Sequence, residues 1–437
     1  MAGWVAVPSR APQGEQLRRL RQDPPRLPPN TPPSPTTHTG WPTMTSRERV
    51  VAACSLKQPD RIPIDLGGMR STGIMAMTYN RLKAYLGMTG GRTRMYDLGQ
   101  QLAEPEPEVL ERFGCDVLHL FIDEPKRWKP FTLPDGSPCE VPEGFNPERL
   151  EDGTLVLRNS AGEIVSRLPA DGYYFSGCGK APLAHITTAA EMAKIDLFTP
   201  HSQKSLDDLR ARAKHLFETT DYAIMYSGLG SIHEQCQGLR GWDQWMMDLA
   251  GDPDLACTLM DKLTDANIQV AAQVLPAIEG YAQVVVIGGD LGMQDGPQMS
   301  PATYRKLIKP RAKRFYDFIR SHTSAKLFIH TCGSVYALLP DLIEAGIEVL
   351  NPVQVAARDM DTDKLKREFG KDIAFWGGGC DTQYVLPFGT VEEVRAEVRK
   401  RISDLGPEGF VFTQVHNIQA NTPPENIVAM FDAALSA

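Results

Sequence analysis

In the stretch Lys326-Leu327-Phe328-Ile329-His330-Thr331-Cys332-Gly333, a short apolar run breaks off into polar residues and glycine, and a helical pattern follows. A buried strand that ends in a βα turn has this composition. The same pattern recurs on both sides. Upstream lie Ile62-Pro63-Ile64-Asp65-Leu66, Asp116-Val117-Leu118-His119-Leu120-Phe121, Tyr222-Ala223-Ile224-Met225-Tyr226 and Gln283-Val284-Val285-Val286-Ile287. Downstream lie Ile347-Glu348-Val349-Leu350, Ile373-Ala374-Phe375-Trp376 and Gly409-Phe410-Val411-Phe412. Between them run amphipathic segments such as Thr390 to Ile402, where Val391, Val394, Val398 and Ile402 repeat at helical spacing and Thr390 with Glu393 forms a capping box. Strand and helix alternating eight times predict an α/β fold, a (β/α)8 TIM barrel.

Two segments break the rhythm. Over residues 131–178, Asp135-Gly136, Asp152-Gly153, Ala161-Gly162 and Asp171-Gly172 punctuate short alternating segments. These turns predict a β-meander inserted after the second strand and lying over one end of the barrel. Residues 1–43 carry ten prolines and five arginines against Glu15 and Asp23 alone, a net charge of +3 that leaves −11 for the rest of a chain of net charge −8. Proline removes donors and restricts its neighbours, so this head is expected to be a disordered tail. The functional barrel is expected from Met44 to residue 437, with Met44 as its natural start.

The chain has 437 residues, 42% of them apolar and 23% charged, enough apolar surface for a sizeable core. The acidic balance gives no reason to expect nucleic acid or an anionic membrane as partner. No apolar run reaches the length of a membrane span, and the head lacks the apolar core of a secretory signal. The eight cysteines form no CxxC pair, which suits reduced thiols and a cytoplasmic protein. Gly377-Gly378-Gly379 follows a strand but matches neither GxGxxG nor a P-loop, which argues against nucleotide binding.

In a barrel of this kind the chemistry sits at the C-terminal ends of the strands. His330 and Cys332 stand two residues apart at such an end, so an imidazole nitrogen and a sulfur face the same way and make half of a Zn²⁺ site. A third ligand must come from another strand end. His416 after the eighth run and Cys380 after the seventh both qualify, and either set can bind zinc. Asp123 and Asp290 close the second and fourth runs, where a carboxylate can act as base, stabilise a cation or fix a ligand. Arg70 is placed to hold a substrate carboxylate.

From Met44 onward the chain resembles the uroporphyrinogen decarboxylase superfamily, which includes cobalamin-dependent methyltransferases. The resemblance rests on Ile287-Gly288-Gly289-Asp290, Met299 to Arg305, Phe328 to Ser334, Phe375-Trp376-Gly377-Gly378, Gly389-Thr390 with Glu392, and His416-Asn417-Ile418-Gln419 with Thr422 to Asn426. It implies a (β/α)8 barrel and two competing activities. Decarboxylases match at Leu120-Phe121-Ile122-Asp123, where the family's aspartate stabilises a protonated pyrrole, and at His416, a substrate-contacting histidine. Their early Met-Arg-Gln-Ala-Gly-Arg signature is here Gly68-Met69-Arg70-Ser71-Thr72-Gly73, which lacks one arginine. Methyltransferases match at His330 and Cys332, and their later zinc-binding cysteine falls where this chain has His416.

These readings favour a zinc-assisted methyltransferase that moves a methyl group between a small molecule and a corrinoid carried by a separate protein. His330, Cys332 and His416 are its metal ligands, with Cys380 as the alternative third. Asp123 and Asp290 are its catalytic residues, and Arg70, Asn417 and Gln419 are its substrate-binding residues. The alternatives are uroporphyrinogen decarboxylation, the tetrapyrrole step of porphyrin biosynthesis, and a barrel that binds a tetrapyrrole or corrinoid protein without chemistry.

Overall fold

The computed structural model describes residues 43–437. The expected tail therefore lies, but for Thr43, outside the described residues. Seven parallel strands form one curled sheet: β1 (Val117–Leu120), β2 (Ala223–Leu229), β3 (Val284–Ile287), β4 (Lys326–His330), β5 (Val349–Asn351), β6 (Ala374–Trp376) and β7 (Phe410–Val411), each paired with its neighbours in chain order. All seven coincide with runs read from the sequence.

The remaining run, residues 62–66, closes the circle. Phe412, just past β7, donates to the Pro63 carbonyl at 2.8 Å, and its own carbonyl accepts from Asp65 at 2.9 Å. On the other side the Asp116 N–H donates to the Ile64 carbonyl at 2.7 Å. Ile64 thus pairs with both edges of the sheet as the eighth stave, too short to count as a strand.

Side chains alternate along each strand. Val117, Ala223, Met225, Val284, Val286, Phe328, Val349, Ala374, Trp376 and Val411 fill the interior, together with Val50, Ala53 and Cys54 of the helix Ser46–Cys54. That helix plugs the N-terminal end of the barrel. Arg49 reaches from it to Asp60 and Asp116, both at 2.6 Å, and Arg61 joins Asp116 at 2.8 Å. The alternate positions, among them Ile224, Tyr226, Val285, Ile287, Leu327, Ile329 and Phe375, face the surrounding helices. Pro253–Ile278, Lys309–His322 and Val391–Leu405 are the longest helices of the second half. The Thr390 and Glu393 capping box is present as read. Among the described residues no helix is long and apolar enough to cross a membrane.

Between β1 and β2 the chain forms the antiparallel pair Trp128–Thr132 with Pro138–Pro142, then a four-stranded antiparallel sheet spanning Glu148 to Gly177. Its end is stitched to the barrel. Phe175 donates its N–H to the Gly99 carbonyl at 2.8 Å, and the Tyr174 hydroxyl donates to Asn417 Oδ1 at 2.9 Å.

Candidate metal centre at the barrel mouth

His330 is the last residue of β4, and its side chain faces inward, two residues beyond Phe328 of the interior. Its neighbour across the ladder is Asn351, at the end of β5. Asn351 Nδ2 donates to the Trp376 carbonyl at the end of β6 at 2.8 Å, which turns Oδ1 toward His330. His330 Nδ1 lies 2.7 Å from that oxygen. Since an amide oxygen only accepts, Nδ1 carries the proton, and in the neutral ring the Nε2 lone pair points away, into the barrel mouth. Three adjacent strand ends thereby fix one imidazole tautomer.

Cys332 Sγ lies 3.5 Å from His330 Nε2. The backbone that carries it is held from beneath: the Cys332 N–H donates to Asp290 Oδ1 at 2.8 Å, and the Gly333 N–H to Gln354 Oε1 at 2.6 Å. Gly333 has φ +88, and a Cβ there would stand 2.4 Å from the Gly292 carbonyl carbon. The loops after β3 and β4 touch backbone to backbone, which only glycine permits at these two positions. Burial first, then the Asp290 carboxylate, its hydrogen bond and Glu234 push the Cys332 thiol well above its ordinary value, so it is protonated in the metal-free protein.

His416 follows β7, buried, its ring centroid 5.9 Å from that of His330. Burial lowers its pKa to about 3, with His330 acting in the same direction, so the ring stays neutral and able to ligate. One donor atom each from His330, Cys332 and His416 lie within 4.8 Å of one another. Tetrahedral zinc bound by nitrogen and sulfur separates its donors by about 3.3–3.6 Å, so this N, S, N set fits the ion with small adjustments and leaves a fourth position for substrate.

The other residues singled out from sequence occupy different places. Asp290 lies beneath the cluster, its Oδ1 3.9 Å from His330 Nε2, and its carboxylate orients the Cys332 backbone. Cys380 faces away: it is buried, and its thiol donates to Glu397 of the helix Val391–Leu405 at 3.5 Å. Asp123 is exposed and lines a cavity of about 480 Å³ at the rim, with Glu124, Lys126, Lys204, Asp208 and Arg212. Arg70 is exposed and paired with Asp97 at 3.1 Å. Asn417 and Gln419 meet at Tyr174 of the inserted sheet; Asn417 also donates to Gln100 at 2.6 Å, and Gln419 donates to the Tyr174 hydroxyl.

Two contacts were not read from the sequence. Ser71 Oγ lies 3.2 Å from His330 Nε2, although Ser71 had entered only as a departure from a signature. Behind Asp290, Gln298 Nε2 donates to the Asp290 carbonyl at 3.0 Å, and Gln298 Oε1 is held by His233 at 3.1 Å and Gln237 at 2.7 Å. Trp245 Nε1 donates to His233 Nδ1 at 3.1 Å, leaving His233 Nε2 as the donor to Gln298. The signal for this second tier was a helix, Ile232–Arg240, that buries His233 and Gln237 one turn apart.

Comparison with known proteins places these features in a family. The family model for uroporphyrinogen decarboxylase (URO-D) matches residues 183–436, which include β2–β7 and all three cluster residues. The chain is 29% identical over 182 residues, 41% of its own length and 48% of the relative's, to the Methylcobamide:CoM methyltransferase MtaA of Methanosarcina barkeri. It is 26% identical over 186 residues, 42% of its length and 49% of the relative's, to the uroporphyrinogen decarboxylase of Gloeobacter violaceus. The matched region spans about half the length of either relative. Among solved structures, a methyltransferase from Methanosarcina mazei superposes over 90% of this chain and 98% of that one, with a TM-score of 0.53 at 17% identity, a likeness of fold.

Proposed function

Since the chain belongs to the uroporphyrinogen decarboxylase family, whose matched relatives include both a methyltransferase and a decarboxylase, we propose that it is a zinc-assisted methyltransferase that moves a methyl group between a small molecule and a corrinoid. The observation that carries this reading is the convergence of His330, Cys332 and His416 donor atoms within 4.8 Å at the barrel mouth. A decarboxylase acting without metal would use His416 to contact substrate but needs no thiol and second imidazole converging on it.

His330 Nε2, Cys332 Sγ and one nitrogen of His416 would hold the ion. Zinc bound there supplies a Lewis acid that activates a thiol or polarises a methyl donor. The chain does the rest. Asn351 holds the proton on His330 Nδ1, so that Nε2 is available. Asp290 fixes the direction of the Cys332 backbone, and its negative charge beside the thiol favours a cation in the centre. Arg70, at the early signature, is bound to Asp97, which occupies the cation that a tetrapyrrole carboxylate would use there. A corrinoid protein would present or receive the methyl group at this mouth.

The test measures metal and transfer together. The purified chain is expected to contain one zinc per molecule, and to demethylate methylcobalamin in the presence of a small thiol, read from the cobalamin absorbance. His330→Ala and Cys332→Ala are expected to lose the zinc and at least about a hundredfold of the rate. A zinc-free protein whose transfer rate is untouched by both substitutions, or CO₂ release from uroporphyrinogen that depends on Asp123, overturns the reading.

A further inference from the structure

Val117 of β1, Met225 of β2 and Phe328 of β4 line the barrel interior. Two residues further along each strand, His119, Ser227 and His330 face the same way one layer nearer the mouth. His330 belongs to the candidate metal centre; His119 and Ser227 have no part in it. They are joined by a close hydrogen bond between His119 Nε2 and Ser227 Oγ.

Around His119 stands a wall of rings. Tyr96 meets it edge-on at 5.5 Å, Phe121 lies at 4.9 Å, and Tyr96 and Phe121 are 5.7 Å apart. All three are part-exposed. Tyr96 comes from the strand Met95–Asp97 of a separate small sheet, so two distant pieces of chain build the wall. The Tyr96 hydroxyl is buried and has no hydrogen-bond partner among the described residues. Folded proteins satisfy nearly all such groups, so this hydroxyl, on a part-exposed ring wall, keeps a proton to donate to whatever binds against the wall.

The wall is uncharged. Burial lowers the His119 pKa to about 3, with Arg70 and Arg212 acting in the same direction, and burial raises that of the Tyr96 phenol. The two arginines nearby are already paired, Arg70 with Asp97 and Arg212 with Glu124. We propose that Tyr96, His119, Phe121 and Ser227 form a subsite for an uncharged aromatic ligand that bears a hydrogen-bond-accepting oxygen, an aryl alcohol or aryl ether. Ring faces suit a flat ligand, the Tyr96 hydroxyl supplies a donor to its oxygen, and Ser227 adds a second in the tautomer in which His119 Nε2 donates to Ser227 Oγ. The inference rests on the methyl-transfer reading, and deepens it by naming the class of the small substrate.

The test is calorimetric titration of the full chain, without corrinoid or turnover, using 2-methoxyphenol and cyclohexanol as probes. The aromatic probe is expected to bind at least tenfold more tightly than cyclohexanol. Tyr96→Phe, which keeps the ring, should weaken it about fivefold, and His119→Ala about tenfold or more, with zinc content unchanged in both. Equal binding of the two probes, no binding of either, or undiminished affinity in Tyr96→Phe overturns the subsite. Because binding is read without methyl transfer, its failure and that of the zinc mechanism are separable: His330→Ala should retain the aromatic probe while losing zinc.

Discussion

Asn351 has one amide with two tasks. Its NH₂ is spent on the Trp376 carbonyl and its oxygen on His330, so a single side chain decides which imidazole nitrogen faces the mouth. Removing it should leave His330 in place but free to turn or change tautomer. Asn351→Ala is therefore expected to lower zinc affinity about 10- to 100-fold, measured by competition with a chromogenic chelator. Asn351→Asp keeps the acceptor and should recover much of the loss. HxC spacing revealed two candidate ligands because both sit on one strand end, where side-chain direction follows from periodicity. Asn351 and Ser71 were visible only as letters, since their contacts with His330 depend on how separate segments are set side by side, 21 residues away in one case and 259 in the other. The choice of His416 over Cys380 depended likewise on which side of the β6 and β7 ends each faces.

At the scale of elements, the helix Ile232–Arg240 works as a brace. It buries His233 and Gln237 against Gln298, which holds the Asp290 carbonyl beneath Cys332. Burial lowers the His233 pKa from 6.5 to about 4. Between those values the folded protein binds fewer protons than the unfolded chain, so stability rises with pH across the window, is fully present above about pH 6.5, and is lost on acidification toward 4. Thermal melts should show this fall, on the order of 3 kcal/mol for His233, and His233→Gln should flatten that part of the profile. Long elements were legible because their apolar spacing is regular: β4 and the helix Val391–Leu405 carry their period openly. The run at 62–66 was read as a strand like the others, yet it contributes one bridging residue, since Pro63 removes a donor and its neighbours leave the ladder at once. The inserted sheet was legible from its Asp-Gly and Ala-Gly turns. Its attachment through Tyr174 was not, because one tyrosine among alternating residues carries no sign of what it will touch.

The whole molecule depends on both ends of its barrel, and they do different work. The mouth holds the candidate centre and the ring wall; the floor holds charge. Asp116 accepts from Arg49 and Arg61 at 2.6 and 2.8 Å, from Ser46 at 2.7 Å and from the Ile64 N–H at 2.8 Å, with its own side chain wholly buried. Removing that charge leaves two guanidinium groups, one of them buried, without their shared partner. Asp116→Asn is expected to cost about 3 kcal/mol in denaturant unfolding, while the protein that remains folded keeps its zinc. A mutation at the mouth should do the reverse, sparing stability and removing metal.

Closure of the ring at Ile64 has a consequence in time. Of the eight staves, the one that seals the barrel is read first by the ribosome, and the partner it needs, Phe412, emerges only after the other seven. Until then the early segment can join only the β1 side of the sheet, at Asp116, and its other side stays unpaired. Between residues 64 and 412 the nascent chain must hold a half-built cylinder open. A chain released before residue 412 would carry two bare sheet edges, the form in which such a fold is most prone to aggregate.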